Sequence, residues 1–439
     1  RSKVATHAIR TPMKLARIAC LAALSTAFAM GASVAQETSR GEYLARAGNC
    51  VVCHTVSEGE PFAGGLKMNT PLGAIYTTNI TPDRETGIGA YSYEDFDRAL
   101  RNGVARDGHR LYPAMPYPSY ARTTDEDSRA LYDYFLKVVK PVRQNNTANE
   151  IASPWDMRWP LAMWNLVGGG APYKPDPAFD AEWNRGAYLV QGLGHCGACH
   201  TPRGWLFQEK GLDEKSGAYL SGANLDNWSS PNLRGDLNTG LGRWTLDEIA
   251  EYLKTGHNRY GTAFGSMRDV VQFSTSTLAD DDTRAIAKYL RSLSPSIDRT
   301  RPVYVRDGRT EADLAARKYD AIGSATYARQ CASCHGLDGM GGGNLPALAG
   351  NPAVLDPDPT SLLNIVLNGA PSPASDEGDS SDLMPQFRTF LKDAEIADVI
   401  SFIRSGWGNR ARGATTAQAA ALRKATSVGG ERTIIRQMR

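Results

Sequence analysis

Six cysteines fall into three pairs, and a histidine directly follows each pair: Cys50-Val51-Val52-Cys53-His54, Cys196-Gly197-Ala198-Cys199-His200 and Cys331-Ala332-Ser333-Cys334-His335. A Cys-x-x-Cys-His run reads as covalent attachment of a c-type haem. Two thiols add across the vinyl groups of the porphyrin, and the histidine is held beneath the ring, where it can ligate iron. A zinc site would need two pairs close enough to share one metal, and a disulfide framework a short, loop-rich chain. A thioredoxin-like pair needs no histidine after it. The expectation is therefore three covalently bound haem c groups, held by Cys50 and Cys53, Cys196 and Cys199, and Cys331 and Cys334, with His54, His200 and His335 as iron ligands.

The opposite face of each iron decides between electron transfer and substrate chemistry. One methionine recurs at an equivalent place in each repeat: Met115 in Pro113-Ala114-Met115-Pro116, Met267 in Gly265-Ser266-Met267-Arg268, and Met384 in Leu383-Met384-Pro385. A lone methionine is usually core filler. Three at equivalent positions point to sixth ligands, because His/Met ligation is an electron-transfer arrangement. His109 and His257, just upstream of Met115 and Met267, compete for that role, although the third repeat has no counterpart. Met68, Met157, Met163, Met340 and Met438 recur nowhere and read as packing or surface residues.

Elements that could position these groups recur with them. A short helix-like segment precedes each motif: Arg40-Gly41-Glu42-Tyr43-Leu44, Arg185-Gly186-Ala187-Tyr188-Leu189, and Gly323-Ser324-Ala325-Thr326-Tyr327. The third tyrosine stands closer to its motif, so the third repeat is the most divergent. Residues 86–96 align with 239–249, and Ser92 and Thr245 each stand three residues before an acid, a capping-box start for a middle helix. The third repeat offers 360–368 instead. Periodic apolar stripes predict closing helices over 125–139, 280–293 and 393–405.

An opening and a closing helix crossing beside a haem are the plan of a class I cytochrome c fold. The expected fold class is mainly α: three tandem domains of this kind, each wrapped around one covalently attached haem. They are expected at 36–150, 176–298 and 321–411, with linkers at 151–175 and 299–320 and a tail at 412–439. The first linker holds Trp155, Trp159 and Trp164. These either pack neighbouring domains together or dock to a partner or the bilayer interface.

Residues 1–35 read as upstream sequence followed by a secretory signal: a basic stretch from Met13, an apolar run containing Cys20, and the cleavage pattern Ser33-Val34-Ala35. Export to the periplasmic side of the bacterial inner membrane follows. Beyond the signal no apolar stretch approaches the ~20 residues of a membrane span, so any attachment is expected to be peripheral. A formal net charge of +2 over 439 residues gives no reason to expect nucleic acid as a partner.

The chain resembles the three-haem cytochrome c subunits of bacterial membrane-bound periplasmic dehydrogenases. The resemblance rests on Arg40-Gly41-Glu42-Tyr43-Leu44, Tyr76-Thr77-Thr78-Asn79-Ile80-Thr81-Pro82-Asp83, Tyr112-Pro113-Ala114-Met115-Pro116-Tyr117-Pro118, Met157-Arg158-Trp159-Pro160-Leu161, Gly194-His195-Cys196 through Gly204, and Ser405-Gly406-Trp407-Gly408-Asn409. It implies a separate catalytic subunit carrying flavin, PQQ or a molybdenum cofactor and oxidising an alcohol, aldehyde, sugar or sugar acid, with membrane ubiquinone as acceptor. It also implies that this chain is an electron-transfer subunit without catalysis of its own. Two other readings stand beside it: a free-standing periplasmic multihaem carrier, and a haem peroxidase-like enzyme, which would need an open iron position.

Overall fold

A computed structural model describes residues 40–426 except 71, 297–301, 344 and 370–383. The expected signal at 1–35, with Cys20, and Met438 of the tail lie outside the described residues. The chain is mainly α-helical, and one order of elements recurs. An opening helix (40–47; Ala181–Gln191; Ser324–Gln330) leads into a one-turn helix over the cysteine motif (Cys50–Cys53; Gly197–His200; Ala332–His335). A middle helix follows (Tyr93–Asn102; Leu246–Thr255; Thr360–Asn368), then a closing helix (Asp125–Lys137; Asp280–Ser292; Asp393–Ser405).

Local chemistry sets the helix ends. Ser92 and Thr245 accept from the backbone N–H of Asp95 and Glu248, whose carboxylates return to the cap backbone, so both expected capping boxes form. Three aspartates, Asp280 to Asp282, lie in the first turn of the second closing helix and complement its dipole. The first closing helix stops at Lys137, two residues short of expectation: Val138 is 44% exposed, so burial does not reward another turn there.

Opening and closing helices cross at a glycine in every repeat. A methyl group on Gly41, Gly186 or Gly323 would run into the backbone carbonyl of Ala130, Ala285 or Asp398 respectively. Only a residue without Cβ allows this approach. Sheet structure is minor: strands Lys67–Thr70, Gly73–Tyr76 and Glu150–Ile151 make one antiparallel sheet, and Ala223–Leu225 with Trp228–Ser230 makes a hairpin.

The first two repeats share one apolar cluster, in which Leu44, Phe96 and Leu131 join Leu189, Leu193 and Tyr289. Their polar contacts are reciprocal. Arg40 and the Tyr188 hydroxyl both donate to Asp127, the latter at 2.6 Å, while Arg185 and the Tyr43 hydroxyl both donate to Asp282, the latter at 2.5 Å. Each opening-helix tyrosine thus completes the closing-helix carboxylate of the other repeat, the pattern of a two-fold interface within one chain. The third repeat has its own cluster around Tyr327, Ile400 and Trp407. It meets the second through hydrogen bonds of Ser361 with Ser229 and of Asn364 with the Asn227 carbonyl.

The tryptophan-rich stretch is more ordered than a linker. It contains a helix, Leu161–Gly168, pinned by Asn165 to the Tyr117 hydroxyl at 2.7 Å. Trp164 packs on Tyr117 and donates to the Leu206 carbonyl at 2.7 Å, bridging two repeats, whereas Trp155 and Trp159 are 58% and 68% exposed. Of the two alternatives weighed for this stretch, packing between neighbouring repeats is met by Trp164. Among the described residues no helix is long and apolar enough to cross a membrane.

Candidate haem sites

A single helical turn sets the two thiols of each motif three residues apart, on one face, with the histidine beside them. What fixes each histidine is a backbone carbonyl well ahead in the chain. Nδ1 of His54 lies 2.7 Å from the Thr78 oxygen, that of His200 2.7 Å from the Pro231 oxygen, and that of His335 3.1 Å from the Pro346 oxygen. A carbonyl only accepts, so Nδ1 carries the proton and Nε2 keeps its lone pair for a metal. Burial lowers the pKa of all three rings against the opposing pull of these hydrogen bonds, which keeps them neutral. The histidine carbonyls are held too: Gly64, Gly222 and Gly341, all at positive φ, donate to His54, His200 and His335 at 2.8, 2.8 and 3.0 Å.

None of the six motif cysteines is in a disulfide. Burial pushes the Cys50, Cys196 and Cys331 thiols up to about 12 and Cys53 to about 11, the reverse of the depressed values that activate a redox dithiol. Among the described residues no group of three or more His, Cys, Asp or Glu could hold a metal ion, so the motifs do not converge on a zinc-type ligand set.

Each methionine singled out by its position lies against the same apolar cluster as the first cysteine of its repeat's motif. Met115 and Cys50, and Met267 and Cys196, lie against the shared cluster; Met384 and Cys331 lie against the third repeat's cluster. Met267 stands in the first turn of the helix Ser266–Phe273 rather than in a loop. Of the rival histidines, His109 is exposed and its Nδ1 lies 2.5 Å from Asp107, and Nδ1 of His257 lies 2.7 Å from the Thr262 hydroxyl.

The second repeat gives an independent test of fit to a porphyrin. The Tyr219 hydroxyl, Trp228 Nε1 and Trp244 Nε1 are buried without a hydrogen-bond partner. Buried donors of this kind need acceptors, and a haem brings two carboxylates. The histidines, thiols and spare donors together suit a covalently held haem. The carbonyls of Thr78, Pro231 and Pro346 and these spare donors carry no sequence signal, because every residue offers a carbonyl and burial is not written in a motif.

The comparisons agree with this chemistry. Residues 184–294 and 321–407 match the cytochrome c family. The chain is 49% identical over 399 residues to the gluconate 2-dehydrogenase cytochrome c subunit of Pantoea cypripedii, covering 89% of this chain and 90% of that protein. It is 47% identical over 401 residues to the cytochrome c subunit of the alcohol dehydrogenase (quinone) of Gluconobacter oxydans (strain 621H), covering 89% and 84%. The fructose dehydrogenase cytochrome subunit of Gluconobacter japonicus is 37% identical over 393 residues, covering 84% and 79%. With attachment motifs built for haem c and relatives that serve as cytochrome subunits, the chain belongs to the cytochrome c subunits of dehydrogenase complexes, which transfer electrons and leave substrate catalysis to a partner subunit.

Proposed function

We propose that the chain holds three haem c groups in three tandem class I cytochrome c domains, near 36–150, 176–298 and 321–411, and relays electrons from its catalytic dehydrogenase partner to membrane ubiquinone. The observation carrying this reading is the threefold recurrence of one arrangement: paired cysteines, a histidine whose Nδ1 rests on a carbonyl, and a methionine against the same apolar cluster. His54 and Met115, His200 and Met267, and His335 and Met384 are the proposed iron ligands. A bound haem supplies one-electron cycling between ferric and ferrous iron. The carbonyls of Thr78, Pro231 and Pro346 orient the imidazoles, the methionines close the opposite face, and the apolar clusters exclude water.

The relatives' names support a substrate among alcohols, sugars and sugar acids for the partner, and one of them supports a quinone acceptor. The partner's own cofactor is a flavin, PQQ or molybdenum centre in this reading. The basic, apolar and small-x-small pattern within 1–35 supports export to the periplasmic side of the inner membrane. Attachment there is peripheral in this reading, and exposed Trp155 and Trp159 are of the residue type favoured at bilayer interfaces.

A pyridine haemochrome assay on the mature protein is expected to return three haems per chain. Met115→His, Met267→His and Met384→His are each expected to lower the potential of one haem and weaken the near-infrared sulfur-to-iron band. The cytochrome alone should oxidise no alcohol, aldehyde or sugar, yet restore quinone reduction when joined to its catalytic subunit. Turnover of substrate by the isolated cytochrome, or normal relay in all three methionine variants, would defeat the reading.

A further inference from the structure

His195 stands directly before Cys196 with φ at +35°, and Asn49 stands directly before Cys50 with φ at +50°. Side chains other than glycine adopt such backbone at a cost, so the surrounding structure must hold them there. For His195 the holding contacts come from the other repeat. Its Nε2 lies 3.3 Å from the carbonyl oxygen of Gly48, two residues before Cys50, and its ring meets the Tyr120 ring edge-on at 5.7 Å. A carbonyl cannot donate, so Nε2–H does. The Tyr120 hydroxyl donates to the same carbonyl at 3.3 Å, and Ser274 donates to the neighbouring Ala47 carbonyl at 3.2 Å.

These bonds close a compact junction. The motif helix Cys50–Cys53 packs against the helix Ser266–Phe273, which carries Met267. The third repeat has nothing equivalent: exposed Gln330 occupies the place before Cys331.

We propose that His195 is a positioning residue for electron exchange between the first two haem sites, its Nε2–H locking one attachment loop to the other through the Gly48 carbonyl. The covalent path from Cys196 to His195, across that bond to Gly48 and on to Cys50, is short. One electron passes between the two sites, oxidising one iron and reducing the other, with no proton or bond change. This inference rests on the reading that both motifs carry haem.

The test uses the complete haem-loaded protein. Haem is counted first, because a wild-type count below three would defeat the loading proposal rather than this one. Flash photoreduction then follows how fast a delivered electron redistributes among the haems. His195→Phe keeps a ring but loses the donor, and is expected to slow redistribution severalfold. His195→Gln, which keeps a donor, is expected to recover most of the rate, and Gln330→Phe to leave it unchanged. A wild-type rate in His195→Phe, or equal losses in the Phe and Gln variants, overturns the proposal. If His195→Phe fails to load haem, Tyr120→Phe decides: it weakens the same anchorage and is expected to slow redistribution by a smaller factor, and a wild-type rate there overturns the proposal.

Discussion

Glu209 lies beside the second attachment motif, its carboxyl group over Gly197, with a side chain only 6% exposed. Burial raises its pKa from 4.5 to about 7, against the opposing charges of Arg203 and Arg122. Between these two values the unfolded chain has released the proton that the folded chain retains. Stability should therefore fall as pH rises from about 4.5 to about 7 and level off above it, by up to about 3 kcal/mol from this group. Glu209→Gln cannot ionise, so it should flatten that part of the profile and be more stable than wild type at pH 8, as unfolding midpoints at pH 5 and pH 8 would show. At this scale the sequence announces the thiols and histidines through their spacing. It is silent on Glu209, because a carboxylate in a loop declares nothing until the fold buries it.

Among the elements, the crossings at Gly41, Gly186 and Gly323 depend on a missing side chain. Gly186→Ala should force the second opening and closing helices apart and cost about 1–3 kcal/mol, read as a lower melting temperature and poorer haem incorporation. Gly217→Ala, where a methyl group meets nothing within 4 Å, should be neutral. Helix starts were legible because Ser92 and Thr245 cap through side chains that a spacing rule can find. Helix ends were less so, since exposure of Val138 emerges only from packing. The segment around Trp164 was only partly legible for the same reason: three tryptophans look alike in sequence, and only the Leu206 carbonyl separates the one that bridges from the two that face outward.

Across the whole molecule the repeats were visible, but their joining was not. Arg40-Gly41-x-Tyr43 and Arg185-Gly186-x-Tyr188 read as parallel helix starts, and nothing in either says that its tyrosine reaches the opposite repeat. Tyr43→Phe and Tyr188→Phe should each remove a hydrogen bond to a carboxylate, worth about 1.5–3 kcal/mol, and calorimetry should find the first two repeats unfolding less cooperatively. Tyr327→Phe should leave that coupling intact, because its hydroxyl turns inward to the Gly336 carbonyl at 2.6 Å.

The exchanged tyrosines also bear on descent. Each of the first two repeats carries both halves of the same fastening, an aspartate to be completed and a tyrosine to complete another. Two copies of a single ancestral unit would satisfy each other in the same way, so a fused gene could inherit its junction ready-made from a homodimer. Once fused, neither half is free to drift alone: a substitution at Tyr43 is felt at Asp282, and replacing one repeat with a distant relative's would leave the carboxylate in the other with its own repeat's arginine but without its tyrosine.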